Sequence, residues 1–111
     1  MENARIAQLL EFLKSEPDDS FLNYALAIEY VGQGNDGDAK ALFEKVKNHD
    51  ESYVATYYHL GKLYEREQNL NEAIVTYKQG INIAQQKGDR HALSELKGAL
   101  MEINDDDEED W

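Results

Sequence analysis

Histidine is the side chain most often used for acid–base chemistry and metal binding near neutral pH, and the sequence contains three: His49, His59 and His91. No two of them are three or four residues apart, so no helix can present a histidine pair to a metal ion. The sequence has no cysteine, which removes disulfides, thiolate ligands and cysteine nucleophiles. We therefore expect no catalytic residue, no metal site and no cofactor, and we predict that the chain is not an enzyme.

Two further stretches have the composition of ligand-binding motifs but not their spacing. Residues 105–110 are six consecutive acids, without the alternating ligands, central glycine and closing glutamate of a calcium loop. Because adjacent like charges repel, residues 105–111 are predicted to form a disordered acidic tail, with weak binding of divalent cations as the alternative. The glycine-containing segment 34–37 has neither the lysine nor the preceding strand of a phosphate loop, and it is predicted to be a turn between helices.

The overall charge narrows the class of partner. The chain has 23 acidic and 11 basic residues, which gives a formal net charge of -12. Nucleic acid is therefore an unfavourable partner, because binding to a phosphate backbone requires cationic side chains. No segment approaches the roughly 20 apolar residues that span a bilayer, and the first residues lack the pattern of an export signal. We expect a soluble cytoplasmic protein with no membrane partner.

The elements that would position any functional side chain are predicted to be helices. The sequence has one proline and is rich in alanine, leucine, glutamate, lysine and glutamine, all of which favour helix over strand. A length of 111 residues is sufficient for one buried core. We predict a single all-α domain over residues 1–104, without a sheet.

An internal repeat organises these helices. With an offset of 34 residues, small residues align with small ones and aromatic residues with aromatic ones. The aligned pairs are Tyr24 and Tyr58, Leu26 and Leu60, Ala27 and Gly61, Tyr30 and Tyr64, Asn35 and Asn69, Ala39 and Ala73, and Phe43 and Tyr77. Each unit contains two apolar helical patterns that flank a short polar turn, at residues 33–37 and 68–71. Each unit is therefore predicted to be a helix, a turn and a second helix.

These residues give the chain a resemblance to the tetratricopeptide repeat family. The second unit matches the family signature with Tyr57, Leu60, Gly61, Tyr64, Ala73 and Tyr77. The resemblance implies antiparallel helix-turn-helix repeats that stack into a right-handed superhelix of about six helices. The predicted parts are an N-terminal half repeat at residues 2–16, repeats at 20–53 and 54–87, and a capping helix at 89–103.

A glycine within the helical pattern of the second unit needs a packing explanation, because glycine costs about 1 kcal/mol relative to alanine in a helix. Gly61 and Ala73 are predicted to form the close contact between the two helices of this unit. Tyr64 and Tyr77 are predicted to fill the wider space on either side of that contact.

The resemblance also implies a binding surface. In this family the first helices of successive repeats line a concave groove, which holds a peptide or a helix of a partner protein. The corresponding candidate residues are Phe21, Tyr24, Ile28, Tyr58, His59, Lys62 and Arg66. Because Tyr24 and Tyr58 occupy the same repeat position, packing between neighbouring units is the alternative role for these two.

One well-known subgroup of the family binds the terminal carboxylate of chaperone tails with lysine, asparagine and arginine side chains. The matching positions in this sequence are Tyr24, Ile28, His59, Asp89 and Leu93. None is the expected residue, so the chain is not expected to bind chaperone tails in this way.

The function predicted from the sequence is noncatalytic binding of a protein or peptide partner. The alternative is a structural protein that forms homo-oligomers through its terminal helices. A monomer is expected, with a homodimer as the alternative. A further hypothesis places Trp111, which follows the acidic run, in a groove near Tyr58, Lys62 and Arg66.

Overall fold

Six α-helices make up most of residues 3–103, the part of the chain that the computed structural model describes. They are α1 (Ala4–Ser15), α2 (Ser20–Gly32), α3 (Asp36–His49), α4 (Ala55–Arg66), α5 (Leu70–Lys87) and α6 (Arg90–Ile103). There is no β-strand in this range, as the composition predicted. The predicted acidic tail, the position of Trp111 and its proposed docking near Tyr58 lie outside the described residues.

The chain divides between Tyr53 and Val54 into two compact units. The N-terminal unit contains α1, α2 and α3, and the C-terminal unit contains α4, α5 and α6. In each unit, consecutive helices pack against each other.

Asparagine side chains fix the start of the second helix in each predicted repeat. The side-chain oxygens of Asn35 and Asn69 accept hydrogen bonds from the backbone N–H groups of Asp38 and Glu72. Because each helix starts directly after its asparagine, the turns comprise residues 33–35 and 67–69. The predicted turns, 33–37 and 68–71, extended too far into the helices that follow.

The N-terminal unit has a core of small, aliphatic and aromatic side chains. Leu9 of α1 packs with Ala25 and Leu26 of α2, and partly buried side chains surround this cluster. Phe43 of α3 is fully buried, as is Ala27 of α2. Apolar residues at helical spacing thus face the interior of this unit, whereas Leu10, Phe12 and Phe21 are exposed.

The C-terminal unit depends on two glycines at which helices approach closely. A Cβ atom at Gly61 would lie 2.2 Å from Cε1 of Tyr77, so the ring of Tyr77 occupies the space directly over the glycine. Tyr77, predicted to fill the space beside the contact of Gly61 with Ala73, thus lies over Gly61 itself, while Ala73 is fully buried and its contact with Gly61 stays a prediction. The physical reason is size, since a ring needs the room that a missing side chain leaves.

The second close approach was not predicted from the sequence. At Gly80 in α5, a Cβ atom would lie 2.6 Å from Cβ of Tyr57 and 3.0 Å from Cδ1 of Leu96. Leu96 belongs to α6, which begins after a left-handed Gly88 and is capped by Asp89. Gly80 thus brings α4, α5 and α6 together at one point.

Thr76 provides a test of packing in the same core. Its side chain is 1% exposed, and its hydroxyl has no hydrogen-bond partner among the described residues. Replacing Thr76 by valine keeps the shape and removes the unsatisfied group, so we expect a gain of about 1 kcal/mol in the free energy of unfolding. Urea denaturation followed by circular dichroism measures this change.

The matched control is Thr56→Val, since Thr56 is equally buried but does have an interaction partner. That variant should lose stability. If both valine variants lost stability equally, the hydroxyl of Thr76 would not be the unsatisfied group that the structure indicates.

Candidate functional site

The candidate residues on α4 form a contiguous cluster at the surface of the C-terminal unit. The ring centroids of Tyr58 and His59 are 5.4 Å apart, with the rings nearly perpendicular. The Nζ atom of Lys62 lies 5.5 Å from the centroid of the Tyr58 ring, within range of a cation–π interaction. All three side chains are half-buried, so part of each lies at the surface of this unit.

The charge of Lys62 is balanced by two carboxylates. Its Nζ atom lies 3.7 Å from an oxygen of Glu65 and 3.7 Å from an oxygen of Glu102. Glu65 is one turn further along α4, whereas Glu102 comes from α6. The positive charge of Lys62 is therefore offset locally by these two carboxylates.

Glu65 is in turn held by the core. The Tyr77 hydroxyl donates a hydrogen bond to Oε2 of Glu65. Burial and this bond raise the pKa of Tyr77, so the hydroxyl remains a donor at neutral pH. The same tyrosine ring that packs on Gly61 thus positions a carboxylate beside Lys62.

His59 is held in its neutral form. Burial lowers the pKa of the imidazole, and the carboxylate of Glu95 only partly opposes this effect. A neutral imidazole has one donor and one acceptor nitrogen, so His59 can both donate and accept a hydrogen bond at pH 7.

Arg66 lies one turn after Lys62 and is exposed in the last turn of α4. A cation at this position interacts favourably with the helix dipole. Of the four α4 candidates, Tyr58, His59 and Lys62 are brought into contact, and Arg66 extends the same side of the helix.

The candidates on α2 lie in the N-terminal unit and are mostly apolar. Phe21 is 55% exposed. Tyr24 is half-buried, with ring centroids 5.9 Å from Phe43 and 5.4 Å from Tyr53. Ile28 follows one turn later and is also half-buried. Part of Tyr24 thus packs within its own unit, and the remainder of this side chain lies at the surface with Phe21.

An open groove of about 570 Å³ lies between α1 and α2, and it was not predicted from the sequence. Its lining combines acidic and apolar side chains from Glu11, Phe12, Ser15, Glu16, Asp19, Phe21 and Leu22. Only Phe21 had been selected from the sequence. The sequence does contain an indication of this surface. Leu10 and Phe12 are apolar residues that do not share the buried side of α1 with Leu9, and both are exposed in the structure.

No group of three or more histidine or acidic side chains within residues 3–103 is arranged to hold a metal ion. None of the six helices in that range is both long and apolar enough to cross a bilayer.

Comparisons with known proteins identify the family. The sequence profile described as tetratricopeptide repeat matches residues 54–87. The crystal structure of a tetratricopeptide repeat domain protein from Salinibacter ruber aligns with this chain at 48% sequence identity and a TM-score of 0.75. The alignment covers 77% of this chain and 94% of that one. A solution structure of a tetratricopeptide repeat domain protein from the same organism gives 47% identity, a TM-score of 0.75, and coverage of 80% and 90%. The chain therefore belongs to the tetratricopeptide repeat family.

A more distant likeness supports the same fold. The solution structure of a protein from Bordetella parapertussis aligns with a TM-score of 0.79 over 96% of this chain and 92% of that one, at 21% identity. A comparison with curated protein sequences finds no significant match. The predicted fold class, an all-α tetratricopeptide-like repeat fold, is confirmed. Tetratricopeptide repeat domains mediate protein–protein interactions, and proteins of this family are generally noncatalytic scaffolds.

Proposed function

We propose that the chain is a noncatalytic module that binds a peptide or helical segment of a partner protein. The main observation behind this proposal is the cluster of Tyr58, His59 and Lys62 on α4, in which a ring, an imidazole and an ammonium group are half-exposed at one place. Within its family, such a surface is suited to binding a partner segment.

The α4 surface would recognise a partner through several different contacts. The Tyr58 ring offers flat apolar area at a low entropic cost, and neutral His59 can pair with a backbone N–H or C=O group. Lys62 is already oriented by Glu65 and Glu102, so it would lose little side-chain entropy on binding. A partner that pairs with Lys62 must also accommodate these carboxylates, which favours a polar or mixed-charge segment over a purely acidic one.

The α2 candidates would contribute a more apolar contact. Phe21, Tyr24 and Ile28 recur at spacings of three and four residues, which places them on one side of the helix. The repeat boundaries 20–53 and 54–87, with a half repeat at 2–16 and a capping helix at 89–103, belong to the same proposal. They make α2 and α4 the first helices of their repeats, which line the binding groove in this family.

The experiment is an affinity pull-down with quantitative mass spectrometry, comparing the wild type with the double variant Tyr58→Ala, Lys62→Glu. We expect partners bound through α4 to be depleted about tenfold or more, because truncating an aromatic anchor and reversing a charge both weaken binding. The matched control is Val75→Ala, Lys78→Glu, which makes a similar change on the exposed side of α5. Circular dichroism should show that both variants remain folded.

The proposal would be supported if partner proteins were lost from the α4 variant and retained by the control variant. Equal recovery of every partner by wild type, variant and control would assign binding elsewhere and remove α4 from the site. The same comparison with Ile28→Ser tests the α2 candidates separately, because Ile28 does not line the groove between α1 and α2.

A further inference from the structure

The groove between α1 and α2 has a composition that specifies its occupant. We propose that it binds a basic segment of a partner protein that carries a bulky apolar side chain next to lysine or arginine. This inference rests on the proposed function, the binding of a partner segment, and it adds a second surface with a stated chemistry.

The apolar part of the groove is formed by Phe12, Phe21 and Leu22. Phe12 is 56% and Phe21 is 55% exposed, so two aromatic rings present about half of their surface to solvent within one concavity. Single exposed apolar residues are common, but adjacent ones that line a groove are typical of binding sites.

The core does not require these two rings. In α1 the buried side chain is Leu9, and Ile6 and Leu13 pack beside it at helical spacing. One repeat later, Phe21 corresponds to Ala55, so an aromatic ring is not a structural feature of that repeat position. Phe12 corresponds to Val46, which is buried in α3. The position that holds Phe12 is thus covered in the next repeat and uncovered in α1.

The groove also contains three carboxylates, which select the charge of the occupant. Glu11 forms an exposed ion pair with Lys14 at 3.1 Å, a type of pair that contributes little and exchanges readily. Asp19 accepts one bond from the N–H of Leu22, which leaves its other oxygen available. Glu16 takes part in no ion pair within residues 3–103. Lysine or arginine beside an apolar side chain would complement this arrangement.

The same charges disfavour the two occupants that the chain itself could supply. A second copy carries a net charge of -12 and would bring acids toward an acidic groove. The C-terminal Trp111 follows six consecutive acids, so its insertion here would place carboxylates next to Glu16 and Asp19. A basic segment from another protein has neither disadvantage.

The test uses the full chain and a fluorescein-labelled synthetic peptide of lysine and leucine with one tryptophan. Two companion peptides replace either every lysine by glutamate or every apolar residue by serine. Fluorescence anisotropy gives the affinities, and amide chemical shifts locate the bound peptide. We expect the lysine–leucine peptide to bind more tightly than both companions and to shift amide signals of α1 and α2.

Variants separate this groove from general attraction between a basic peptide and an acidic protein. Phe12→Ser, Phe21→Ser should weaken binding about tenfold or more, because both rings are lost without a change in charge. Glu16→Lys should weaken it severalfold and reduce its sensitivity to salt. The control Leu70→Ser, Val75→Ser removes two exposed apolar side chains from α5 without a change in charge, and it should leave this affinity unchanged. The α4 variant Tyr58→Ala, Lys62→Glu is measured in parallel to report any binding at α4.

The alternative outcomes are distinct. If the serine variant bound as tightly as wild type, or if the lysine–serine peptide bound equally well, attraction would be nonspecific and the groove inference would fail. If only the α4 variant lost binding, the proposed function would stand and the groove would be wrong as a second site. If light scattering showed a dimer that Phe12→Ser, Phe21→Ser dissociates, a second copy would be the occupant instead.

Discussion

Replacement of Gly61 by leucine is expected to lower the free energy of unfolding by at least about 3 kcal/mol. Even a single carbon at this position would lie 2.2 Å from Cε1 and 2.6 Å from Cζ of Tyr77. The ring cannot move aside easily, because Tyr77 is fully buried and its hydroxyl is bonded to Glu65. Urea denaturation of the full chain measures the loss.

Alanine at the same position separates packing from helix propensity. In a helix, alanine is favoured over glycine by about 1 kcal/mol, so Gly61→Ala would be stabilising if space were available. The matched control is Gly98→Ala, because a Cβ atom at exposed Gly98 in α6 would meet nothing within 4 Å. We expect the two alanine substitutions to have opposite signs, with Gly98→Ala stabilising and Gly61→Ala destabilising.

A double-mutant cycle assigns the clash to one ring. Tyr77→Leu removes the Cε1 and Cζ atoms that a new Cβ would meet, so Gly61→Ala should cost less in that background. If Gly61→Ala lowered stability equally in the wild-type and Tyr77→Leu backgrounds, the packing of the Tyr77 ring on Gly61 would be contradicted. A denaturation midpoint that Gly61→Leu left unchanged would contradict it as well.

The fold was largely predictable because the repeat displays its packing in residue types. The offset of 34 residues aligned buried Ala27 with Gly61, buried Ala39 with Ala73, and buried Phe43 with Tyr77. The repeated pattern of residue sizes indicates that a position must hold a small residue. It does not indicate which atoms of the neighbouring helix pack against that residue. The contact of Gly61 with the Tyr77 ring, and the role of Gly80 between Tyr57 and Leu96, therefore required coordinates.

The candidate surface was less predictable, because partners that lie far apart in sequence determine its charge. The i,i+3 spacing of Lys62 and Glu65 was visible in the sequence, but Glu102 and Glu95 come from α6, where the repeat pattern ends. The α1–α2 groove was missed for a related reason. Its residues belong to different repeat positions, and only the packing of α1 on α2 brings Phe12 near Phe21.

Asn23 is a case in which the repeat pattern and the local structure differ. The corresponding residue of the second repeat is Tyr57, yet Asn23 is 2% exposed. Its Nδ2 atom donates hydrogen bonds to the carbonyl oxygens of Pro17, at 3.0 Å, and Asp19, at 2.8 Å. Through these two hydrogen bonds the amide ties α2 to the segment that joins it to α1.

The substitution Asn23→Asp is expected to destabilise the chain by about 3 kcal/mol or more, because an unpaired carboxylate would be buried against two carbonyl oxygens. The nearly isosteric change removes both donors, so cavity formation does not contribute. Asn71→Asp in the first turn of α5 is the matched control, since Asn71 is exposed and an acid there should change stability by less than about 0.5 kcal/mol.

The dependence on pH identifies the buried charge as the cause. Burial would raise the pKa of the introduced carboxyl above the ordinary value of about 3.9. The folded variant would then bind more protons than its unfolded chain, so its stability would fall as the pH rises between those two pKa values. The loss of stability of Asn23→Asp relative to wild type should therefore be largest at neutral pH. It should become smaller as the pH falls toward 4, because a protonated carboxyl can donate one hydrogen bond. A deficit that is constant between pH 4 and 7.5 would mean that the lost hydrogen bonds, and not the buried charge, account for the effect.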